Sequence, residues 1–355
     1  MSRSFFVVML VSTLISSISA AQEKQLSVDR EHLVGVIEAH LASLEGWRSG
    51  DFLFRSISNG EGKRIVAGET IRGVVQPKVV VGPDAFSVVI REDLLQRVVF
   101  DLDKQRALVI NRCEIEERVF NGLDEEVGRP IIRLDDRVLL YEFDKHIFVR
   151  QKAGEIQKTR NQPTMVQMLT SFGVPDVRYF GVNEGPFGWS DDVRWRLEYF
   201  GNAFGLSEFS NTGQDRYRVV LRKQEVKESE RQPTDEGQYA IDWDLSCNVP
   251  VRFVSHHCSP EACRAAVVAD VKWGSHEGNF LPEFARVSHY SHRSYASRNI
   301  ELSEEKTIDV HWFSFNQELK PELFDVNLLH DRKKLDEMLN TDVFEKSSDL
   351  APKDN

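Results

Sequence analysis

Ten residues towards the carboxyl end, VSHHCSPEAC from Val254 to Cys263, bring two histidines and two cysteines together. Thiolates and imidazoles at such density can hold a metal, and two thiols can instead close a disulfide. Zinc would take Cys258, Cys263 and one histidine. His256 and His257 are consecutive on a strand-like run, where neighbouring side chains point to opposite faces, so at most one joins the cysteines directly. The spacing matches no strong zinc signature, and a hairpin tip is not a closed four-ligand cage. The runs VSHHC and CRAAVV flank a turn, Ser259-Pro260-Glu261-Ala262, which puts Cys258 and Cys263 on the two arms of a hairpin. A disulfide between them is the expectation, with a free pair or a metal site as alternatives. Cys113 and Cys247 carry no assigned pairing.

The remaining reactive side chains form no pattern of equal weight. His289 and His292, in SHYSHRSY, lie three apart at a strand end and read as solvated polar residues on a hairpin arm. No GxSxG elbow, HExxH helix, Walker loop or dinucleotide fingerprint occurs. No two carboxylates stand out as a general acid and base. Trp273 and Trp312 read as core or rim aromatics. No catalytic residue, metal ligand or cofactor is therefore assigned.

The chain opens MSRSFFVVMLVSTLISSISAAQEK: one basic residue, Arg3, an apolar run from Phe5 to Ile18, then Ser19-Ala20-Ala21. This is the pattern of an export signal over residues 1–21, too short to span a bilayer. A mature protein acting in the periplasm or outside the cell is the expectation, without a transmembrane segment and without a lipid anchor on an amino-terminal cysteine. Loss of Arg3 moves the formal net charge from −11 to −12. Basic residues are interspersed with acidic ones, which argues against nucleic acid and anionic lipid surfaces as partners.

The elements that would position these groups follow from periodicity. SVDREHLVGVIEAHLASLEG reads as a helix, with Asp29 as N-cap, Leu33, Ile37, Leu41 and Leu44 on one face, and Gly46 at its end. From Trp47 the period becomes two: GDFLFRSIS, TIRGVVQPKVVV, AFSVVIRED and LQRVVFDLDKQRALVIN read as strands, with a hairpin turn at Asp103-Lys104-Gln105. RPIIRLDDRVLLYEFDKHIFVRQ continues the pattern, with turns expected at Asp135-Asp136-Arg137 and Asp144-Lys145. Two helices are expected next. NQPTMVQMLTSFG has an Asn161 cap, Pro163 in the first turn, a face of Met165, Met168, Leu169 and Phe172, and a stop at Gly173. WSDDVRWRLEYFGNAFG has a Ser190 cap and a stripe of Val193, Leu197, Phe200 and Phe204. Strands resume in RYRVVLRK and a meander through TIDVHWFSFN, and a short helix ends PELFDVNLLHDRKKLDEML. Short connections make neighbouring strands antiparallel.

The order of these elements resembles the LolA/LolB-like group of periplasmic lipoprotein carriers and their secreted relatives. The likeness runs from the amino-terminal helix into GWRSGDFLFRS, through LDDRVLLYEF, where the family has an exposed Asp-Gly-x turn before an aromatic strand, to VPVRF, WGSHEGNFLPEF and VHWFSFN. It covers most of residues 29 to 330. It departs at RGVVQPKVVV, which offers Pro77-Lys78 where the carrier has a basic residue that holds its lid, and at Asp-Asp-Arg in place of Asp-Gly-x. The resemblance implies an α+β fold, a strongly curved antiparallel sheet forming an incomplete β-barrel with helices packed in its concave face, and an apolar cavity that accepts acyl chains.

The expectation is therefore a signal peptide over 1–21, a single domain over 22–339 and a disordered tail over 340–355. The alternative organisation is two α+β domains divided near the helical middle. Candidate ligand-binding residues are Met165, Met168, Leu169 and Phe172, with Phe52, Phe54 and Phe100 on the strands. Flexible methionines suit an adaptable apolar surface, although the same residues would equally fill a core. The functional expectation is a non-enzymatic exported protein that binds an apolar ligand or a lipoprotein. A protein-interaction or envelope-sensing module on the same fold is the alternative, since relatives include a regulator of envelope-stress signalling. A metal-dependent hydrolase centred on the histidine and cysteine stretch is the third possibility.

Overall fold

The computed structural model describes residues 35–62, 70–71, 74–75, 87–120, 126–142, 146–150, 154–160, 163–182, 189, 204–213, 215–223, 236–258, 263–291 and 301–345. A helix over 35–45 (α1) leads into β1 (Ser49–Gly62), a short pair β2 (Thr70–Ile71) and β3 (Val74–Val75), and then β4 (Ser87–Asp101), β5 (Arg106–Phe120), β6 (Ile131–Tyr141), β7 (His146–Arg150) and β8 (Ile156–Arg160). Helix α2 (Met165–Ser171) follows. The later strands are β9 (Phe204–Gly213), β10 (Arg216–Lys223), β11 (Glu236–Asp244), β12 (Val249–Cys258), β13 (Cys263–His276), β14 (Asn279–Ser291) and β15 (Glu301–Phe315). Two short helices, α3 (Arg332–Met338) and α4 (Asp342–Glu345), end the described chain. The fold is α+β and mainly antiparallel sheet. No helix among the described residues is long and apolar enough to cross a membrane.

By its contacts the chain divides into two compact units, Met1–Arg48 with Val166–Tyr290, and Ser49–Met165 with Ser291–Asn355. The first unit carries the strand order β14-β13-β12-β11-β10-β9 and the second β8-β7-β6-β5-β4-β1-β15. Helix α1 of the first unit buries Val36, His40, Leu41 and Leu44, a stripe at helical spacing, and leaves Ile37 half-buried.

In the second unit the register sorts side chains onto two faces. The rows Gly50–Phe100–Ala107–Tyr141 and Phe52–Val98–Val109–Leu139 share one face of β1, β4, β5 and β6, and Leu53, Leu95, Val99, Leu108, Ile110, Val138 and Leu140 share the other. The second face packs against the carboxyl-terminal segment through Leu319, Phe324, Leu328, Leu329, Leu335, Leu339 and Phe344. That segment is held in shape by caps: Asp325 accepts from Asn327 N at 2.8 Å, and Asp331 accepts from Lys334 N at 3.0 Å. On the first face Phe52 and Phe100 meet edge to face at 6.5 Å, and Phe52 lies 4.8 Å from Trp312. A Cβ on Gly50 would fall 2.6 Å from the Phe100 ring. Gly50→Ala is therefore expected to lose about 1–3 kcal/mol in urea unfolding, the range for overpacking a filled core.

Three expectations need correction. Asp135, Asp136 and Arg137 form no turn: they lie within β6, opposite Cys113, Arg112 and Asn111 of β5. The local turn cue yields to a continuous ladder of backbone hydrogen bonds, and the Asp-Gly-x likeness falls with it. Phe204 opens a strand and does not complete a helical stripe. Of TIRGVVQPKVVV, the strand residues of β2 and β3 are described, and residues 72–73 and 76–81 lie outside the described residues. Helix α4 lies inside the segment expected to be a disordered tail, because Phe344 is a buried anchor on the apolar face of the sheet. Asp29, Leu33, Asn161, the Asp144-Lys145 turn, Ser190, Val193, Leu197, Phe200, the export signal and residues 346–355 lie outside the described residues.

Candidate functional site

Where the second unit's strands run past the carboxyl-terminal segment, the face that held leucines becomes charged. The register gives successive rows Asp309–Arg55–Leu95–Arg112, then Ile57–Asp93–Glu114–Leu134, then Asn59–Arg91–Glu116–Ile132. These rows and the end of α3 enclose a cleft of about 370 Å³ lined by Arg55, Arg91, Asp93, Arg112, Glu114 and Glu116, with Leu95, Leu134, Leu339 and Thr341. Arg55 donates twice to Asp93, Nε to Oδ1 at 3.2 Å and Nη2 to Oδ2 at 2.7 Å. This hydrogen bonding raises the arginine's already high pKa. Burial pushes the Asp309 carboxyl up, and Arg55 opposes that shift. Arg112 Nη2 donates to Asp336 Oδ1 on α3.

Three guanidinium groups facing three carboxylates make a surface that can take up a polar partner by charge-assisted hydrogen bonds. Ile131, Ile132 and Leu134 stand exposed beside it on β6, at 50%, 60% and 49%.

A second charged feature of this unit lies deeper. Arg97 Nη2 donates to Asp51 Oδ2 at 2.8 Å, and the Phe313 ring covers the guanidinium at 3.2 Å. Burial pushes the Asp51 carboxyl up and Arg97 down, each partly offset by the other's charge.

The apolar candidates lie at packed positions. Phe52, Phe54 and Phe100 are at most 1% exposed. On α2, Met165 and Leu169 are fully buried and Met168 is half-buried; Phe172, the residue just past its end, is nearly buried. After Gly173, whose φ of +69° ends the helix, Asp176 caps a 3-10 turn over Val177–Tyr179 and pairs with Arg178.

The histidine and cysteine stretch forms a hairpin of β12 and β13. Its register sets Cys258 directly opposite Cys263, and a bulge at Ser255/His256 puts His256 opposite Ala265 and His257 opposite Arg264. The side chains of His257, Cys258 and Cys263, and residues 259–262, lie outside the described residues. Burial lowers the His256 pKa, and its Nδ1 has no hydrogen-bond partner among the described residues. Among the described residues no three His, Cys, Asp or Glu side chains are grouped to hold a metal, and His292 lies outside them. Cys113 and Cys247 are free thiols. The Cys113 thiol is pushed up to about 11, chiefly by burial and then by Glu92, which makes it a poor nucleophile at neutral pH. Directly opposed positions of an antiparallel pair suit a cross-strand disulfide. Chain produced in an oxidising compartment is therefore expected to weigh two hydrogens less than the reduced chain, with Cys258 and Cys263 linked in one peptide; two unlinked thiols there would refute the bridge.

Sequence reasoning missed the charged cleft, whose signal lies in IRED and RCEIEER, where charges alternate along two strands. It missed the surroundings of His40 as well, which no local motif marks. No family model matches the chain and no curated protein does, so the likeness to the LolA/LolB-like group rests on the order of its elements and motifs alone.

Proposed function

We propose that this chain is an exported, non-enzymatic binding protein whose ligand is an apolar molecule or an acylated partner, held by a curved antiparallel sheet with helices in its concave face. The supporting observation is the aromatic face of β1, β4 and β15, where Phe52, Phe100, Trp312 and Phe315 form one run of ring contacts. These rings are at most 8% exposed, so a ligand reaches them by taking the place of the groups that now cover them, with few polar atoms to desolvate. The methionine-bearing face of α2 supports the same reading, because Met side chains adapt to changing apolar shapes.

Titration of the mature protein with a fluorescent long-chain fatty acid tests this. Saturable binding to the native chain is expected, and Met168→Asp should weaken it by tenfold or more, since a carboxylate in an apolar site is penalised heavily. Met168 is half-buried, so the variant should keep its fold, checked by circular dichroism. Equal binding by a folded Met168→Asp chain would sink the reading.

The charged cleft supports a second reading, a protein-interaction module that uses the sheet exterior. Under it, Met168→Asp spares binding, whereas Arg112→Glu reverses one of the cleft's charges and weakens partner binding in a salt-dependent way.

A further inference from the structure

His40 is the one ionisable side chain of α1 that is buried, at 3% exposure. Its ring sits between two indoles, 5.4 Å from Trp243 and 5.7 Å from Trp273, with interplanar angles of 80° and 87°. Both tryptophans are aimed by β-bulges: the slip between Asp242 and Trp243 sets Trp243 opposite Pro250, and the slip between Lys272 and Trp273 sets Trp273 opposite Pro282. Trp273 is fixed further, because its Nε1 donates to the Pro250 carbonyl at 2.7 Å. Nε2 of His40 has no hydrogen-bond partner among the described residues. The neutral imidazole tolerates this site, since edge-to-face contact with indoles asks for no counter-charge.

An imidazolium would not. The charged or titratable side chains described on the elements around it are Glu38 and Glu45 on α1, Asp242 and Asp244 on β11, Arg252 and His256 on β12, and Arg264, Asp270, Lys272 and His276 on β13. Asp242 is taken by Arg218 at 2.7 Å, and Arg252 lies 3.4 Å from Asp270. None of them contributes to the titration of His40, which burial alone governs. Indole faces favour a desolvated cation by about 2 kcal/mol or somewhat more, still less than the cost of burying an unpaired charge.

We propose that His40 is an acid-sensitive latch: protonating its imidazole releases α1 from the sheet of the first unit while the strands stay folded. The release is local because the buried side chains described on α1 are few, Val36, His40, Leu41 and Leu44, whereas each of β10 to β13 is hydrogen-bonded along its length to neighbours on both sides. The direction follows from linkage. Burial lowers the docked imidazole from 6.5 to about 4, so the advantage of docking is complete above 6.5 and falls away as pH drops from 6.5 towards 4. The undocking equilibrium should rise by roughly 100-fold between pH 7 and pH 4. Released α1 would uncover Trp243 and Trp273.

Hydrogen–deuterium exchange of the mature chain from pH 7 to pH 4, corrected for intrinsic exchange rates, tests the latch. Amides of residues 35–45 should lose protection by about that factor while those of β10 to β13 keep theirs. His40→Phe retains an aromatic edge and cannot titrate, so its α1 should stay protected at pH 4; His40→Leu serves if the phenylalanine does not fit. Three results would each overturn the proposal: protection of wild-type α1 at pH 4, simultaneous loss from α1 and the strands, or the same acid response in the non-titrating variant.

Discussion

Asp176→Ala should cost the protein about 3–5 kcal/mol of stability, the loss expected when one partner of a buried ion pair is removed. Asp176 is fully buried and Arg178 is 4% exposed. The carboxylate accepts from Arg178 Nε at 2.7 Å, from Nη2 at 2.6 Å, and from the Arg178 backbone N at 3.2 Å. Truncation removes the counter-charge and the cap of the 3-10 turn together. The guanidinium also lies 4.8 Å over the Trp189 ring, whose Nε1 donates to the Pro175 carbonyl at 3.1 Å, so the pair holds the segment after α2 in place. Adding Arg178→Met should recover much of the loss, because it removes the stranded charge. Urea unfolding of the two single variants and the double variant measures both quantities. Additive losses would show that the two residues act independently, contrary to this geometry.

Gly181→Ala should be comparably damaging, at about 3–5 kcal/mol, and for a different reason. Gly181 has a φ of +79°, which alone costs a side-chain-bearing residue about 1–3 kcal/mol. An added Cβ would lie 2.5 Å from the Pro250 carbonyl oxygen and 3.0 Å from its carbon, both backbone atoms. Moving that carbonyl disturbs the acceptor of Trp273 Nε1, and with it the indole that packs on His40. The matched control is Gly278→Ala: its φ is +84° but a Cβ there meets nothing within 4 Å. That variant should show only the conformational cost. Equal unfolding midpoints for the two variants would mean that Gly181 is under no steric constraint from Pro250.

Local structure was legible wherever a short stretch sets its own conformation. The helix before Gly46, the stop at Gly173 and the turn at Asp103-Lys104-Gln105 all follow from side-chain spacing and backbone freedom. HEGN likewise closes a two-residue hairpin, with Glu277 and Gly278 both at positive φ. Asp135-Asp136-Arg137 misled because its turn-forming residues sit where eleven consecutive residues pair with β5, and that ladder outweighs a weak local preference. The charged cleft was hidden for a deeper reason. Arg55, Asp93, Arg112 and Glu114 are scattered along the sequence, and only the register of β1, β4 and β5 lines them up. His40 looked like one more residue of an amphipathic helix. Two bulges, invisible to periodicity, bring Trp243 and Trp273 to it.

The most direct test of the central claim, that the chain carries an apolar ligand, is native mass spectrometry of mature protein recovered from a bacterial periplasm without detergent. The expected result is a species heavier than the polypeptide, whose extra mass is removed by organic extraction and fragments as a lipid. A bare polypeptide mass that stays bare after incubation with phospholipid vesicles would contradict the claim and leave the charged cleft as the surface to pursue.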